Sequence, residues 1–339
     1  MILIVFGTRP EHIKVFPVMD SLCTLGIPYK VLFTGQHSIL DSMGYDHRIT
    51  INKGKNRLDS VVASICSDEM NDILNKVNPN AVLVQGDTVS AFAVALAAFH
   101  RGIKVIHLEA GLRTYDKSNP MPEESYRKSI SSMADIHLCP TETAADNLKR
   151  EGIKDGIFIT GNTVLDSLPS PKCVTYGKRI VVTLHRRENI PVMKEWFKAV
   201  SFLAGRYPEY DFVIPLHPNP KVREHKEELK RIIVFESVTR EVMVEWLMTC
   251  AGVITDSGGI QEEASWFKKN CVVCRKVTER VETIGKSSEL AGAPSDLSEV
   301  FADVINRKPD TGPCPFGDGK ASLLIAKILK DFIQEICKK

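Results

Sequence analysis

Asp-x-Asp occurs nowhere in the 339 residues, so the chain lacks the paired acids that commonly hold a divalent metal against a diphosphate. Neither G-x-G-x-x-G nor a P-loop is present, which removes the dinucleotide fingerprint and the usual triphosphate cradle. An excess of one charge is also missing. Lys and Arg number 44 against 42 Asp and Glu, a net charge of +2, and no basic tail or stripe speaks for a nucleic-acid partner. No apolar run is long enough to span a bilayer, so no membrane partner is expected. The opening "MILIVF" has no basic region before it and no small-residue cleavage site after it. It reads as a strand, not a signal peptide. Nine cysteines without an export signal imply reduced thiols and a cytoplasmic location. "CVVC", 271–274, has the spacing of half a zinc site, but no second pair matches it. "NCVVCRK" therefore reads as a buried strand in which cysteine is filler, and no metal or cofactor is expected. Repeats and low-complexity tracts are absent too.

What is present is a globular composition, 43% hydrophobic and 25% charged, in a chain too long for one ordinary core. Short apolar runs alternate with helical patterns. In the first half they are "ILIVFG", "YKVLFTG", "AVLVQGD", "KVIHLEAG", "DIHLCPT" and "IFITGN". In the second they are "RIVVTLH", "DFVIPLH", "RIIVFES", "GVITDSG" and "NCVVCRK". Between them lie patterns such as "SVVASICSDEMNDILNKV" and "TVSAFAVALAAFHRG". Continuous apolar strands alternating with helices predict parallel sheets covered on both faces. Two such series predict an α/β protein of two doubly wound, Rossmann-like domains facing a cleft. The seam is "DSLPSPKCVTYGKR", 166–179, and a final helical pattern closes the chain.

Ligands of open parallel sheets sit beyond the carboxyl ends of the strands. Those ends carry Arg9, Asp87, Glu109, Asn162, His185, His217 and Ser257. In "FGTRPEHIK" a strand runs through Gly7 into a helix with Pro10 in its first turn, flanked by Arg9 and Lys14. Helix-terminal amides and two cations suit an anion, phosphate above all, although a solvated turn fits the local pattern equally well. "TDSGGIQEEASWF" repeats the geometry: Gly258 and Gly259 permit close backbone approach and Ser257 offers a further donor. Here too a plain Gly-Gly turn is locally as good a reading. Asp87 in "QGDT", Glu109 in "HLEAGLRT", and Glu123 and Glu124 in "PMPEESYRK" could each be a cap or a solvated acid. Gathered at one edge beside Arg113, Arg127 and His185, they suit general acid–base work.

In chain order, "FGTRPEHIK", "QGDT", "HLEAGLRT", "PEES.R", "TGNTVLD", "TLHRREN", "TDSGGIQEE" and "FGDGKAS" resemble the non-hydrolysing UDP-N-acetylglucosamine 2-epimerases, over residues 6 to about 322. The resemblance implies the GT-B fold, with an N-terminal domain over 1–168 carrying the catalytic carboxylates. A UDP-binding domain would span 169–318, and a helix over 319–339 would pack back on the first domain. It implies interconversion of UDP-N-acetylglucosamine and UDP-N-acetylmannosamine without nicotinamide or metal, in a homodimer. Asp87, Glu109, Glu123 and His185 match its catalytic positions. Arg9, Lys14, Arg113, Arg127, His217, Ser257, Gly258, Gly259 and Glu263 match or adjoin its substrate and UDP contacts, Glu263 at the ribose. Some bacterial members carry a second, activating UDP-N-acetylglucosamine site; Gln36, Arg186 and His217 match part of it, while Ile39 replaces a usual glutamine. "TERVE", 278–282, departs from the family's Thr-Glu-Arg-Pro-Glu. "SVTREV" stands where Pro-Leu is usual, and the chain is shorter than is typical. A GT-B glycosyltransferase, a hydrolysing epimerase and an epimerase of a related UDP-2-acetamido sugar are the competing readings.

Overall fold

The computed structural model describes residues 1–36, 44–51 and 58–336. These form two compact units, one of residues 1–167 with 316–339 and one of residues 168–315.

The first unit runs β1 (Ile2–Phe6), α1 (Arg9–Thr24), β2 (Tyr29–Phe33), β3 (His47–Arg48), α2 (Leu58–Ile65), α3 (Asp68–Val77), β4 (Ala81–Gln85), α4 (Val89–His100), β5 (Lys104–Leu108), α5 (Glu123–Met133), β6 (Ile136–Cys139), α6 (Glu142–Arg150) and β7 (Ile157–Ile159). Its seven strands are all parallel, in the order β3-β2-β1-β4-β5-β6-β7. Alternation along β1 shows why the strands read as continuous apolar runs. Ile2, Ile4 and Phe6 pack on one face with Val15, Val18 and Leu22 of α1, while Leu3 and Val5 pack on the other with Ala91, Val94 and Ala98 of α4. The long pattern over 60–77 is two helices, not one: the chain breaks at Cys66, and Ser67, in extended backbone, takes the N-cap position of α3.

The second unit contains β8 (Arg179–Thr183), α7 (Met193–Arg206), β9 (Asp211–Pro215), α8 (Pro220–Arg223), β10 (Ile233–Phe235), α9 (Arg240–Thr249), β11 (Gly252–Thr255), α10 (Gly258–Trp266), β12 (Cys271–Val273), β13 (Ser288–Leu290) and α11 (Leu297–Ile305). Its parallel sheet has the order β10-β9-β8-β11-β12-β13. Ile180, Val182, Phe212 and Ile214 pack under Trp196, Phe197, Val200 and Leu203 of α7. Cys271 and Cys274 are fully buried, and burial raises both thiols above their ordinary range, so "CVVC" is core.

The last helix, α12 (Ala321–Ile336), belongs to the first unit. Ile325, Ala326 and Leu329 join the core on the α1 face, and Ser21 Oγ bonds Ser322 Oγ at 3.0 Å. Asp166 closes the helix start, accepting from the backbone amides of Ala321 at 3.1 Å and Ser322 at 2.6 Å.

In each sheet the strand order reverses once, between β1 and β4 and between β8 and β11. Neighbouring crossovers leave in opposite directions there, opening a crevice at the carboxyl ends. His107 lies beneath the first of these edges, fully buried, its Nε2 at 2.8 Å from Gly86 O. Burial holds its pKa down at about 3, and that of His137 on β6 at about 4. Both stay neutral in the folded chain while the unfolded chain takes up protons below the ordinary histidine value, so stability falls as pH drops from 6.5 towards 4. His107→Gln, which keeps a donor for Gly86 O, should flatten that slope by roughly 1.4 kcal/mol per pH unit. Urea unfolding of both chains between pH 4.5 and 7 measures it; equal slopes would show that His107 is protonated in the fold.

Candidate active site

Three elements of the first unit converge on Glu109. It follows β5 with φ of 65°, a left-handed conformation that costs a non-glycine residue roughly 1–3 kcal/mol and that clusters at functional sites. Lys14, in the second turn of α1, pairs with Glu109 Oε2, and Gln85, the last residue of β4, donates Nε2 to the same oxygen at 2.5 Å. Glu109 is 8% exposed. A carboxylate so gripped is fixed in place beside a cation.

Asp87, one loop residue beyond Gly86, pairs with Arg127 of α5. Arg127 Nε stands 2.8 Å and Nη2 2.5 Å from Oδ2. The third arm, Nη1, reaches Glu124 at 3.2 Å. Glu124 is fully buried and also accepts the backbone amides of Thr114 at 3.0 Å and Tyr115 at 2.9 Å. Of the two acids read together at this helix start, Glu124 is thus the anchor of the preceding loop, and Glu123 is the one that remains partly exposed.

Glu11 ties the first two strand ends together. It accepts from the amides of Gly7 at 3.0 Å and Thr8 at 2.6 Å, and from Thr88 Oγ1 at 2.6 Å. Complete burial raises its pKa against those bonds. Gly7 is required where it stands, because a Cβ there would lie 2.2 Å from Thr34 Oγ1 and 2.5 Å from Ser90 Oγ. Ser90 also donates to Gln36 Oε1 at 2.7 Å. Ile39 lies outside the described residues. Arg9 is exposed at the first turn of α1.

Arg113 does not join this edge. Its guanidinium is 0% exposed and is consumed by Glu151 at 2.9 and 2.6 Å, Leu112 O at 2.9 Å and Ser131 Oγ at 3.0 Å. Arg113, expected from the sequence to contact a ligand, is here a buried strut between the chain after β5 and the end of α6.

In the second unit the reversal between β8 and β11 sets His185 beside Asp256. Asp256 Oδ2 accepts the amides of His185 and Arg186, both at 2.8 Å, and Asn189 Nδ2 at 3.0 Å. Asn189 is held in turn by Trp196 Nε1 at 3.1 Å. Arg186 Nε donates to Asp256 O at 3.2 Å. His217, after β9, stacks on His185 with ring centres 5.0 Å apart and planes 12° from parallel. Burial lowers the pKa of both rings, and Asp256 opposes it.

Ser257 caps α10 by accepting from Ile260 N at 3.5 Å. Gly258 lies under Arg280, since a Cβ on it would sit 2.7 Å from the guanidinium carbon. Gly259 opens the first turn. Glu263, in the second turn, takes both oxygens to Arg240 Nη1 at 2.7 Å. Arg280 is paired with Glu262 at 2.8 Å and Glu279 at 2.5 Å, and Gln261 bonds Arg280 O and Thr283 Oγ1. The Thr-Glu-Arg of "TERVE" therefore braces α10, while Val281 is 47% exposed. Among the described residues no group of three His, Cys, Asp or Glu is arranged to hold a metal.

Comparison with known proteins decides what these edges belong to. The family model described as UDP-N-acetylglucosamine 2-epimerase matches residues 24–330. The chain belongs to that family. The UDP-N-acetylglucosamine 2-epimerase of Salmonella borreze is 36% identical over 373 residues, covering 98% of this chain and 98% of that protein. The crystal structure of the Neisseria meningitidis 2-epimerase bound to UDP-GlcNAc superposes with a TM-score of 0.89 at 34% identity, over 97% of this chain and 99% of that one. The two doubly wound parallel sheets expected from the sequence are the architecture of these epimerases. A glycotransferase of kitacinnamycin, 10% identical with a TM-score of 0.62 over 97% of this chain and 98% of that one, shares the fold alone.

Asp256, Glu11 and Gln85 were not singled out from the sequence. Glu11 had a signal, the T-x-x-E capping box in "TRPE". Gln85 had one too, as the single polar residue of "AVLVQ".

Proposed function

We propose that the protein interconverts UDP-N-acetylglucosamine and UDP-N-acetylmannosamine by eliminating and re-adding UDP. The observation that carries the reading is the strand-end edge of the first unit, where Glu109 is held by Lys14 and Gln85 and Asp87 by Arg127. C2 of the sugar is not adjacent to a carbonyl, so its proton is not removed directly at a useful rate. Breaking the C1–O bond to UDP places positive charge at C1 and acidifies C2–H. Loss of that proton gives 2-acetamidoglucal and UDP. Re-addition with protonation on the opposite face gives the epimer, and atoms and charge balance without an external oxidant or metal. Such a reaction needs a base on one face, an acid on the other, and a grip on the departed UDP.

The acid and the base are drawn from the three carboxylates Asp87, Glu109 and Glu123. Arg9 and Lys14 stabilise the charge that grows on the leaving diphosphate. In the second unit Ser257, Gly258 and Gly259 at the start of α10 take the diphosphate, Glu263 the ribose, His217 adjoins them and His185 serves the reacting end, while Gln36, Arg186 and His217 match part of an activator site. Residues 1–168 thus carry the chemistry and 169–318 the nucleotide. The family resemblance supports a homodimer, and reduced cysteines without an export signal support a cytoplasmic location. Among the described residues no helix is long and apolar enough to cross a membrane.

A proton NMR time course with UDP-N-acetylglucosamine in heavy water tests this. The expected product is UDP-N-acetylmannosamine carrying one deuterium at C2 from the first turnover, because an accessible acid exchanges with solvent before it protonates the glucal. Epimer with no deuterium at C2 would sink the elimination route. Free sugar plus UDP would make the enzyme a hydrolase. No change without an acceptor would favour a transferase.

A further inference from the structure

The strongest unexplained group is Asp256. It is 0% exposed, sits at the reversal between β8 and β11, and directs Oδ2 to three N–H donors. Its other oxygen, Oδ1, is buried without a hydrogen bond, a costly state for a carboxylate oxygen. The nitrogen facing it is His185 Nδ1, at 3.3 Å. If Nδ1 carries the proton, a small rotation of the ring closes a hydrogen bond and satisfies Oδ1. If Nδ1 is bare, two acceptors face each other with nothing between them.

His217 sharpens the assignment. Its Nδ1 accepts the backbone amide of Asn219 at 3.2 Å, so its own proton is on Nε2 and a second proton would displace that bond. The groups around the stacked rings are Asp256 on β11's end, Arg186 and Glu188 on the turn after β8, and Arg223 near His217. Two stacked imidazoles do not both become cations readily. The ring with a carboxylate beside it takes the first proton.

We propose that Asp256 is a positioning residue: it holds the proton of His185 on Nδ1, so that Nε2, on the open edge of the ring, is the atom that exchanges a proton or a hydrogen bond with the ligand. The side chain of His185 is 33% exposed, enough for that edge to be reached. The catalytic half of this inference rests on the proposed epimerisation, with Nε2 supplying charge stabilisation to the leaving UDP while His185 is protonated. The tautomer half does not rest on it.

The test is long-range proton–nitrogen NMR on the full chain labelled with nitrogen-15 at histidine, His185→Gln serving to assign the ring. In the unsubstituted protein at neutral pH, His185 should show a protonated Nδ1 and a bare Nε2. The opposite tautomer would overturn the proposal whether or not any variant folds. In Asp256→Asn, whose amide oxygen can still accept the two backbone bonds, the titration midpoint of His185 should fall by about one pH unit or more. An unmoved or raised midpoint also overturns it. In the activity arm, the limb of the pH–kcat profile that follows His185 should move to lower pH with the midpoint. A profile that stays put while the NMR midpoint moves overturns the catalytic half. Should the protein turn over no UDP-sugar at all, the proposed reaction fails, and the tautomer measurement still decides the role of Asp256.

Discussion

Glu109→Gln is expected to slow epimerisation by about 10²–10⁴-fold, because an amide neither takes nor gives the C2 proton and a positioned acid or base contributes on that scale. The substitution is nearly isosteric, so the left-handed backbone at this position and the bond from Gln85 can survive it. Lys14 then loses its counter-ion but keeps a carbonyl acceptor. With Glu109 in the proposed role at the reacting carbon and not at the nucleotide, binding of UDP should change little. The check is kcat by NMR beside UDP affinity by calorimetry. A fall in affinity with kcat preserved would move Glu109 out of the chemistry and into binding. Deuterium wash-in at C2 in this variant, run without net epimerisation, would show that Glu109 serves only one of the two faces.

Arg127→Lys should be nearly as damaging, on the order of 10²-fold in kcat/KM, despite conserving charge. The planar guanidinium holds Asp87 through Nε and Nη2 and Glu124 through Nη1. One ammonium on a flexible stem cannot span both with fixed geometry. Asp87 would keep a cation nearby but lose its aim, and misplacement by about 1 Å is enough for a loss of this size. Glu124 keeps the amides of Thr114 and Tyr115, so the loop after β5 should hold and the fold with it. Circular dichroism and the urea midpoint separate the two effects. Full activity in a folded Arg127→Lys chain would mean that Asp87 needs only charge neutralisation.

The strands were legible because both faces of each sheet are covered, which writes them as unbroken apolar runs. β3 and β13 escaped because "HR" and "SEL" are short and polar and owe their pairing to neighbours. The strand-end edges were legible for a topological reason, since open parallel sheets present their carboxyl ends to ligands. Which side of an edge a residue faces was not. Arg113 and Arg127 looked equivalent, yet one is sealed against Glu151 and the other holds Asp87. Glu123 and Glu124 are adjacent on a helix, about 100° apart, and packing alone decides that the second is the buried one. Asp256 was hidden beside Ser257 because its partners, His185 and Asn189, are some 70 residues distant in sequence.

The return of α12 to the first unit has a consequence for how the protein is made. A ribosome delivers all of residues 168–315 before it delivers the helix that closes the α1 face of the first sheet. During synthesis the unit that starts first therefore finishes last. Val15, Val18 and Leu22 must wait for Ile325, Ala326 and Leu329 while an entire neighbouring unit is completed. A nascent chain halted between residues 315 and 321 carries a finished second unit and a first unit with one side of its core still open to water.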